Sequence, residues 1–228
     1  ENDYGKPAIN SYGSNEGISL FSTPADAAEP QIRATMVPRY GVAGMPFEGI
    51  THEMVESKVI DPDSGADITE PGRPGELCFG GATVFDGYLN SSTEQVFTAD
   101  GFFRTGDLVE ICGEPGNYYR IVGRCKDIIN RGGMKISPSE IDTLLEAYPG
   151  LAEVAVCPYP DAKLGERICA CVVPAPGQEP PDLEDLCEFL LQRGIARFKL
   201  PERLEVLSAL PRNPMNKIVR SSLTDAIS

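Results

Sequence analysis

Three short motifs carry side chains that are suited to chemistry at a phosphate group. They are Tyr12-Gly-Ser-Asn-Glu16, Phe103-Arg-Thr-Gly-Asp107 and Leu210-Pro-Arg-Asn-Pro-Met-Asn-Lys217. The first two supply carboxylates, and oxygen is the ligand atom that Mg²⁺ prefers. The third supplies one lysine in a turn rich in Pro and Asn, a compact positive charge that can reach phosphate oxygens.

Each motif alone also has an ordinary structural explanation. A Gly-Ser-Asn sequence before an acidic residue is commonly a turn, and Asp107 could stabilise a β-turn through its own backbone. A single lysine near a chain end is usually solvated. The functional interpretation therefore depends on the order of the three motifs and on the segments between them.

Together the motifs resemble the C-terminal half of the adenylate-forming superfamily, the AMP-binding family of acyl-CoA synthetases, aryl-acid ligases and adenylation domains. Gly75-Glu-Leu-Cys-Phe-Gly80 supports the resemblance. Its most specific part is Ile121-Val-Gly-Arg-Cys-Lys-Asp-Ile-Ile-Asn-Arg-Gly-Gly-Met-Lys-Ile-Ser-Pro-Ser-Glu140, which is similar to the family's interdomain junction. The resemblance covers nearly the whole chain.

The resemblance implies a nucleotide site in the first half of the chain. Tyr12 would stack on adenine, Asn15 would contact the α-phosphate region, and Glu16 would bind Mg²⁺. Asp107 and Arg124 would contact the ribose. The family usually has Thr where this chain has Asn15, but Asn can still donate to a phosphate oxygen.

For the second half, the resemblance implies a hinge at Lys126 and a loop for the thioester step. That loop contains Gly132, Gly133 and Lys135, and glycine backbone can approach a ligand closely and line a narrow pantetheine passage. Lys217 would be the catalytic cation, acting with Glu16.

The implied reaction is the ATP-dependent activation of a carboxylic acid. An acyl-adenylate forms with release of pyrophosphate, and transfer to CoA then releases AMP, so ATP, Mg²⁺ and CoA are expected. Amino-acid-activating relatives usually have Arg where this chain has Gly132, which favours a fatty or aromatic acid without an amino group. The alternatives are transfer to a carrier-protein thiol and a non-catalytic protein of the same fold.

A mixed α/β fold with two domains follows from the resemblance and the sequence pattern. Residues 1–123 would end a large adenylation domain in a β-barrel-like subdomain, since short apolar stretches alternate there with turn clusters. Residues 124–126 would be the hinge and residues 127–228 a mobile α+β domain. The family's phosphate loop normally lies upstream of Tyr12, so the remainder of that domain is an expected partner and the isolated chain is expected to be inactive.

Capping signals predict two helices in the second domain. Ser137-Pro-Ser-Glu140 reads as an N-cap, a first-turn proline and a capping-box glutamate, and Asp182 begins the second helix. The predicted strands cover residues 151–157, 167–173 and 203–207. In the first domain, Tyr12-Gly13 is expected at a turn and residues 91–96 in a short helix.

Composition narrows the class of protein. The chain is 41% hydrophobic and carries a net charge of −14, which argues against nucleic-acid binding. No apolar run approaches the roughly 20 residues of a membrane span, and no signal peptide is evident, so a soluble, cytoplasmic protein is expected. Seven cysteines without Cys-x-x-Cys spacing, and a single histidine, are typical of core cysteines rather than a zinc site.

Overall fold

The computed structural model describes residues 5–89 and 96–227. Its contacts divide the chain into two compact units, Glu1–Cys125 and Lys126–Ser228. Both units combine strands and helices, so the predicted mixed α/β class is confirmed. Most of the short helix expected over residues 91–96 lies outside the described residues. Within the described ranges, no helix is both long enough and apolar enough to cross a bilayer.

The first unit contains a hairpin and a larger antiparallel sheet. The hairpin pairs β1 (Asn10–Ser14) with β2 (Ile18–Ser22). The remaining elements, in chain order, are α1 (Pro30–Thr35), β3 (Val37–Pro38), α2 (Ile50–Met54), β4 (Val55–Ile60), β5 (Asp67–Ile68), β6 (Gly75–Gly81), β7 (Phe103–Cys112) and β8 (Tyr118–Arg124). The sheet order is β3-β8-β7-β6-β4-β5. Its buried side chains include Leu77, Phe79, Val109, Ile111 and Tyr119.

The predicted barrel-like region does not close into a barrel, because the six-stranded sheet is open over the described residues. The end strands β3 and β5 have two residues each, and each pairs along one side with a single neighbour. A barrel requires the two end strands to pair with each other. The sequence pattern of alternating strands and turns does not distinguish an open sheet from a closed barrel, since both folds give the same short apolar stretches.

The second unit is a sheet with helices on both faces. A 3₁₀ turn (Cys125–Asp127) begins at the last residue of the first unit. The elements that follow it are β9 (Ile129–Arg131), β10 (Met134–Ile136), α3 (Pro138–Leu145), β11 (Leu151–Asp161), β12 (Gly165–Pro174), α4 (Leu183–Gln192), a 3₁₀ turn (Arg197–Lys199), β13 (Arg203–Val206) and α5 (Arg220–Ile227). The sheet order is β10-β9-β12-β11, and β13 pairs in parallel with β12. Helices α3 and α4 contribute to one apolar core, and α5 contributes to another.

The two predicted helices form, but they begin differently from each other. Asp182 caps α4 as expected, because its carboxylate accepts a hydrogen bond from the Asp185 backbone at 2.8 Å. Pro138 is the first residue of α3, but the Ser137 side chain makes no capping hydrogen bond. Glu140, three residues later, pairs with Lys199 at 2.6 Å. Helix α3 is therefore fastened through a contact that is distant in sequence.

Candidate functional site

Asp107 lies at a bulge in the middle of β7, where a turn was expected. Glu76 pairs with Leu108 and Cys78 with Arg104, so residues 105–107 bulge out against a single residue of β6. Gly106 has φ +72°, which only glycine adopts readily. The bulge re-aims the carboxylate of Asp107 without ending the strand.

Glu76 holds this bulge in place, a role that sequence reasoning missed. Its side chain is buried, and it accepts hydrogen bonds from the backbone of Gly106 at 3.1 Å and from Nε of Arg104 at 2.9 Å. The Glu76 hydrogen bond raises the pKa of Arg104. The signal in the sequence was a carboxylate within an otherwise apolar strand, because buried glutamates are nearly always paired.

Two of the predicted nucleotide-binding residues, Tyr12 and Arg124, contact a third, Asp107. The Tyr12 hydroxyl donates to Oδ2 at 2.7 Å, and Nε of Arg124 lies 2.8 Å from Oδ1. Asp107 and Arg124 are direct cross-strand partners on β7 and β8. Burial, and next the neighbouring Asp107, raise the pKa of Tyr12, so its hydroxyl stays protonated and can donate.

Tyr12 and Gly13 lie within strand β1, so their expected placement at a turn is wrong. One reason for the glycine is space, because a Cβ at Gly13 would lie 2.9 Å from the Ile18 carbonyl oxygen across the hairpin. The Tyr12 ring stacks against Phe79 with centroids 6.4 Å apart and planes 27° apart. The ring is thereby held on β6 beside the Asp107 bulge.

The turn of this hairpin lies at residues 15–17 and carries Asn15 and Glu16. Asn15 is exposed, and Glu16 accepts a hydrogen bond from the Tyr88 hydroxyl. That bond is the main cause of the lowered pKa of Glu16, so the carboxyl is ionised near neutral pH. Gly17, at φ +99°, completes the turn where a Cβ would lie 1.8 Å from the Thr83 carbonyl oxygen.

Lys217 belongs to the second unit, where it occupies a tight hairpin closed by a bridge between Arg212 and Ile218. The Asn213 side-chain oxygen accepts from the backbone N–H of Met215 at 3.0 Å and of Lys217 at 2.9 Å. The Lys217 side chain is exposed, and within residues 5–89 and 96–227 it has no hydrogen bond or ion pair. A fixed backbone therefore presents this ammonium group to solvent.

Contacts on the residue before Lys217 also hold the lysine turn. Asn216 has φ +64°, in the left-handed region that Asn tolerates better than most residues. Arg212 donates to the Asn216 carbonyl at 2.8 Å and pairs with Glu153 of β11, also at 2.8 Å. The residue before Lys217 is thus tied to the sheet.

Gly132 and Gly133 form the two-residue turn between β9 and β10. Their φ values of +58° and +86° are those of a type I′ turn, which suits the twist of a hairpin. The Gly132 N–H donates to the Leu164 carbonyl at 2.7 Å. Lys135 lies exposed on β10, and Lys126 lies in the 3₁₀ turn Cys125–Asp127.

Comparison with known proteins places these motifs in a family. Residues 140–217 match the AMP-binding enzyme C-terminal domain. The chain belongs to the AMP-binding family of adenylate-forming enzymes. It is 37% identical over 175 residues to 2,3-dihydroxybenzoate-AMP ligase of Bacillus subtilis, an alignment that covers 76% of this chain and 31% of that protein.

Two further relatives extend over almost the whole chain. Salicylyl-CoA synthase / salicylate adenylyltransferase of a Streptomyces species is 34% identical over 95% of this chain and 36% of its own length. The crystal structure of ATP-bound MatB from Rhodopseudomonas palustris superimposes with a TM-score of 0.77, at 31% identity, over 97% of this chain and 41% of that one. The chain thus spans roughly a third to two fifths of these AMP-binding enzymes.

Proposed function

We propose that this chain belongs to an ATP-dependent acid–thiol ligase that activates an aromatic or related carboxylic acid and transfers it to CoA. The observation that carries the proposal is the hydrogen-bonded group of Tyr12, Asp107 and Arg124. These are the positions that contact the nucleoside in the family the chain resembles. The preference for an aromatic acid rests on the names of the relatives that act on 2,3-dihydroxybenzoate and salicylate.

In this proposal the first unit holds the nucleotide. Tyr12 offers its ring to adenine, while Asp107 accepts from the ribose hydroxyls and Arg124 donates to them. Asn15 donates to the α-phosphate region. Asp107 can accept further hydrogen bonds although Tyr12 and Arg124 already contact it, because a carboxylate has about four lone-pair positions.

Glu16 fits the role of a Mg²⁺ ligand. Its carboxylate lies at the tip of the β1–β2 turn, and the Tyr88 hydrogen bond that lowers its pKa favours the ionised form. A bound Mg²⁺ would supply positive charge to the phosphates of ATP, and ionised carboxylate oxygen is a suitable ligand for it.

Lys217 would neutralise charge as the carboxylate of the acid attacks the α-phosphorus and pyrophosphate leaves. The two reactants are both negative, so electrostatic stabilisation and positioning are the main contributions that a protein can make. In the second step the thiolate of CoA attacks the acyl carbonyl, and AMP leaves. The turn of Gly132 and Gly133, with Lys135 beside it, would approach the acyl-adenylate after rotation about Lys126.

Replacing Lys217 tests the proposal. In an active enzyme that contains this chain, Lys217→Ala should slow acid-dependent exchange of pyrophosphate into ATP by roughly 10²–10³-fold, since a charge contact in the transition state is lost. Thioester formation from supplied acyl-adenylate should remain. The matched control is Lys163→Ala, another exposed lysine of the same unit. An exchange rate that Lys217→Ala leaves unchanged removes this lysine from the mechanism.

The acceptor is tested separately, because a carrier-protein thiol would require the same adenylation step. Salicylate, 2,3-dihydroxybenzoate and fatty acids are each offered with CoA and with a phosphopantetheinylated carrier protein. The proposal expects AMP release to increase with CoA and an aromatic acid. If turnover occurs with the carrier protein but not with CoA, the acceptor is a carrier-protein thiol. If none of these acids is adenylated, the proposed ligase function is contradicted.

A further inference from the structure

Three buried cysteines of the second unit converge on one point of the sheet. Cys157 lies on β11, and its register partner Cys169 lies on β12, two residues before Cys171. The three sulfur atoms lie within 4.8 Å of one another, and those of Cys157 and Cys171 are 3.8 Å apart. This trithiol cluster (Cys157, Cys169 and Cys171) has no role in the proposed ligase reaction.

The spacing of the sulfurs matches what one thiophilic cation needs. With a Zn–S distance of about 2.3 Å, three sulfurs around one ion lie about 4 Å apart. The strands already hold the sulfurs near this separation, so binding requires small side-chain adjustments and no change of the sheet. Soft thiolate ligands select ions such as Zn²⁺ over Mg²⁺ or Ca²⁺.

We propose that the trithiol cluster is a structural site for one soft divalent cation of the Zn²⁺ type. Cys157, Cys169 and Cys171 supply the thiolates, and a divalent ion leaves one net negative charge. Three thiolates around a monovalent ion would leave a larger buried charge, which is costly.

The surroundings of the cluster are consistent with a structural rather than a catalytic ion. Leu210 and the α5 residues Leu223 and Ile227 pack in the same apolar core. Thr224, also on α5, donates to the Pro158 carbonyl at 3.2 Å and so ties this helix to β11 beside Cys157.

Helix α5 should govern entry of the ion. The three cysteines are fully buried, so an ion can reach them after local opening of the helix. Binding should therefore be slow in buffer and faster in dilute urea that leaves the sheet folded. It should also release protons, because bound thiols must be deprotonated, and weaken as the pH falls.

Cadmium titration of the purified chain, reduced and stripped of metal, is the test. One equivalent of Cd²⁺ should bind with thiolate-to-cadmium charge-transfer absorption, Zn²⁺ should displace it, and the midpoint of thermal unfolding should rise. Each of Cys157→Ser, Cys169→Ser and Cys171→Ser should weaken binding by more than the roughly 10- to 100-fold that loss of an outer-shell partner causes. Cys187→Ser is the control, because this cysteine donates to the Pro201 carbonyl and lies outside the cluster.

A second measurement on the unmodified chain covers the case in which a serine variant does not fold. Cadmium NMR reports the number of bound sulfurs, and bound Cd²⁺ should slow alkylation of the three cluster cysteines but not of Cys187. If folded chain opened by dilute urea takes up no cadmium, the cysteines are ordinary core residues. The same conclusion follows if Cys187→Ser weakens binding as much as the cluster variants do.

Discussion

At the scale of single residues, Asp107 on β7 is the carboxylate that we propose contacts the ribose of the nucleotide. Both of its oxygens already have a protein donor, Tyr12 on one and Arg124 on the other. These contacts fix the orientation of the carboxylate before a nucleotide arrives. Preorganisation of this kind lowers the cost of binding, because fewer side chains must be ordered on association.

Asp107→Asn should therefore weaken ATP binding while the fold persists. The amide is similar in size, but it loses the charge that holds Arg124 and one of its acceptor oxygens. Loss of hydrogen bonds to a charged group should raise the Kd for ATP roughly 10- to 100-fold. Calorimetric titration of the enzyme with ATP measures this Kd. The control is Asp100→Asn, since Asp100 pairs with Lys58 elsewhere in the same unit. Equal effects of the two variants would contradict the assignment.

Asn213 fixes the backbone of the turn that carries Lys217, the proposed catalytic cation. Asn213→Ala removes two hydrogen bonds to the turn, one of them to the Lys217 backbone. Adenylation should slow by roughly 10- to 100-fold, since a displacement of about 1 Å can cost this much. Asn213→Ser should be intermediate, because a hydroxyl can accept one of these bonds. The rates of adenylation and of thioester formation are measured for both variants. If thioester formation slows as much as adenylation does, the turn has only a structural role.

At the scale of elements, the turn between β9 and β10 has a structural requirement for glycine in addition to its proposed role in the thioester step. Gly132 and Gly133 both have positive φ, but a Cβ at Gly132 would lie 3.1 Å from a Leu164 methyl group, while one at Gly133 meets nothing within 4 Å. Backbone strain is therefore common to both positions, and steric conflict is confined to Gly132.

Gly133→Ala should separate stability from function. Its strain should cost about 1 kcal/mol of unfolding free energy, similar to Gly177→Ala, which has φ +77° and open space around it. Only Gly133→Ala should slow thioester formation, because a methyl group there would meet the acyl-adenylate or pantetheine. Urea unfolding and the two half-reactions measure this. A thioester rate that Gly133→Ala and Gly177→Ala reduce equally would exclude the loop from that step.

Local signals predicted the elements that depend on neighbouring residues. Helix α4 has the expected cap at Asp182, and β11 and β12 appear where apolar stretches predicted strands, each extending further toward their shared hairpin. Helix α5 was not predicted, because its stabilising contacts come from the sheet rather than from capping residues. Its buried Leu223 packs in the core beneath Cys157 and Cys169.

Long-range contacts determined what the sequence could not predict. The bulge at Asp107 depends on Glu76, and its register is not visible in either strand alone. The open edge of the first sheet depends likewise on pairing between distant strands. For the candidate site, residue types and order identified Tyr12, Asp107 and Arg124 as candidates, but did not predict that Tyr12 and Arg124 would share one carboxylate.

At the scale of the whole molecule, the division into two units gives the junction its importance. One unit carries Tyr12, Glu16, Asp107 and Arg124, and the other carries Gly133 and Lys217. The two proposed half-reactions use different residues of the second unit with the same nucleotide site. We propose that the second unit presents them in turn by changing its orientation about Lys126.

Lys126→Pro should therefore separate the two half-reactions. Proline fixes φ near −65°, removes the backbone N–H and restricts Cys125 before it, so a junction that needs two conformations should be held in one. If the retained conformation is the adenylating one, pyrophosphate exchange should persist and thioester formation should fall. Lys126→Ala, which removes the side chain but leaves the backbone free, should keep both rates. Each rate is measured in an active enzyme that contains the chain, and folding is checked by circular dichroism. An equal slowing of both half-reactions in folded Lys126→Pro would place the hinge elsewhere.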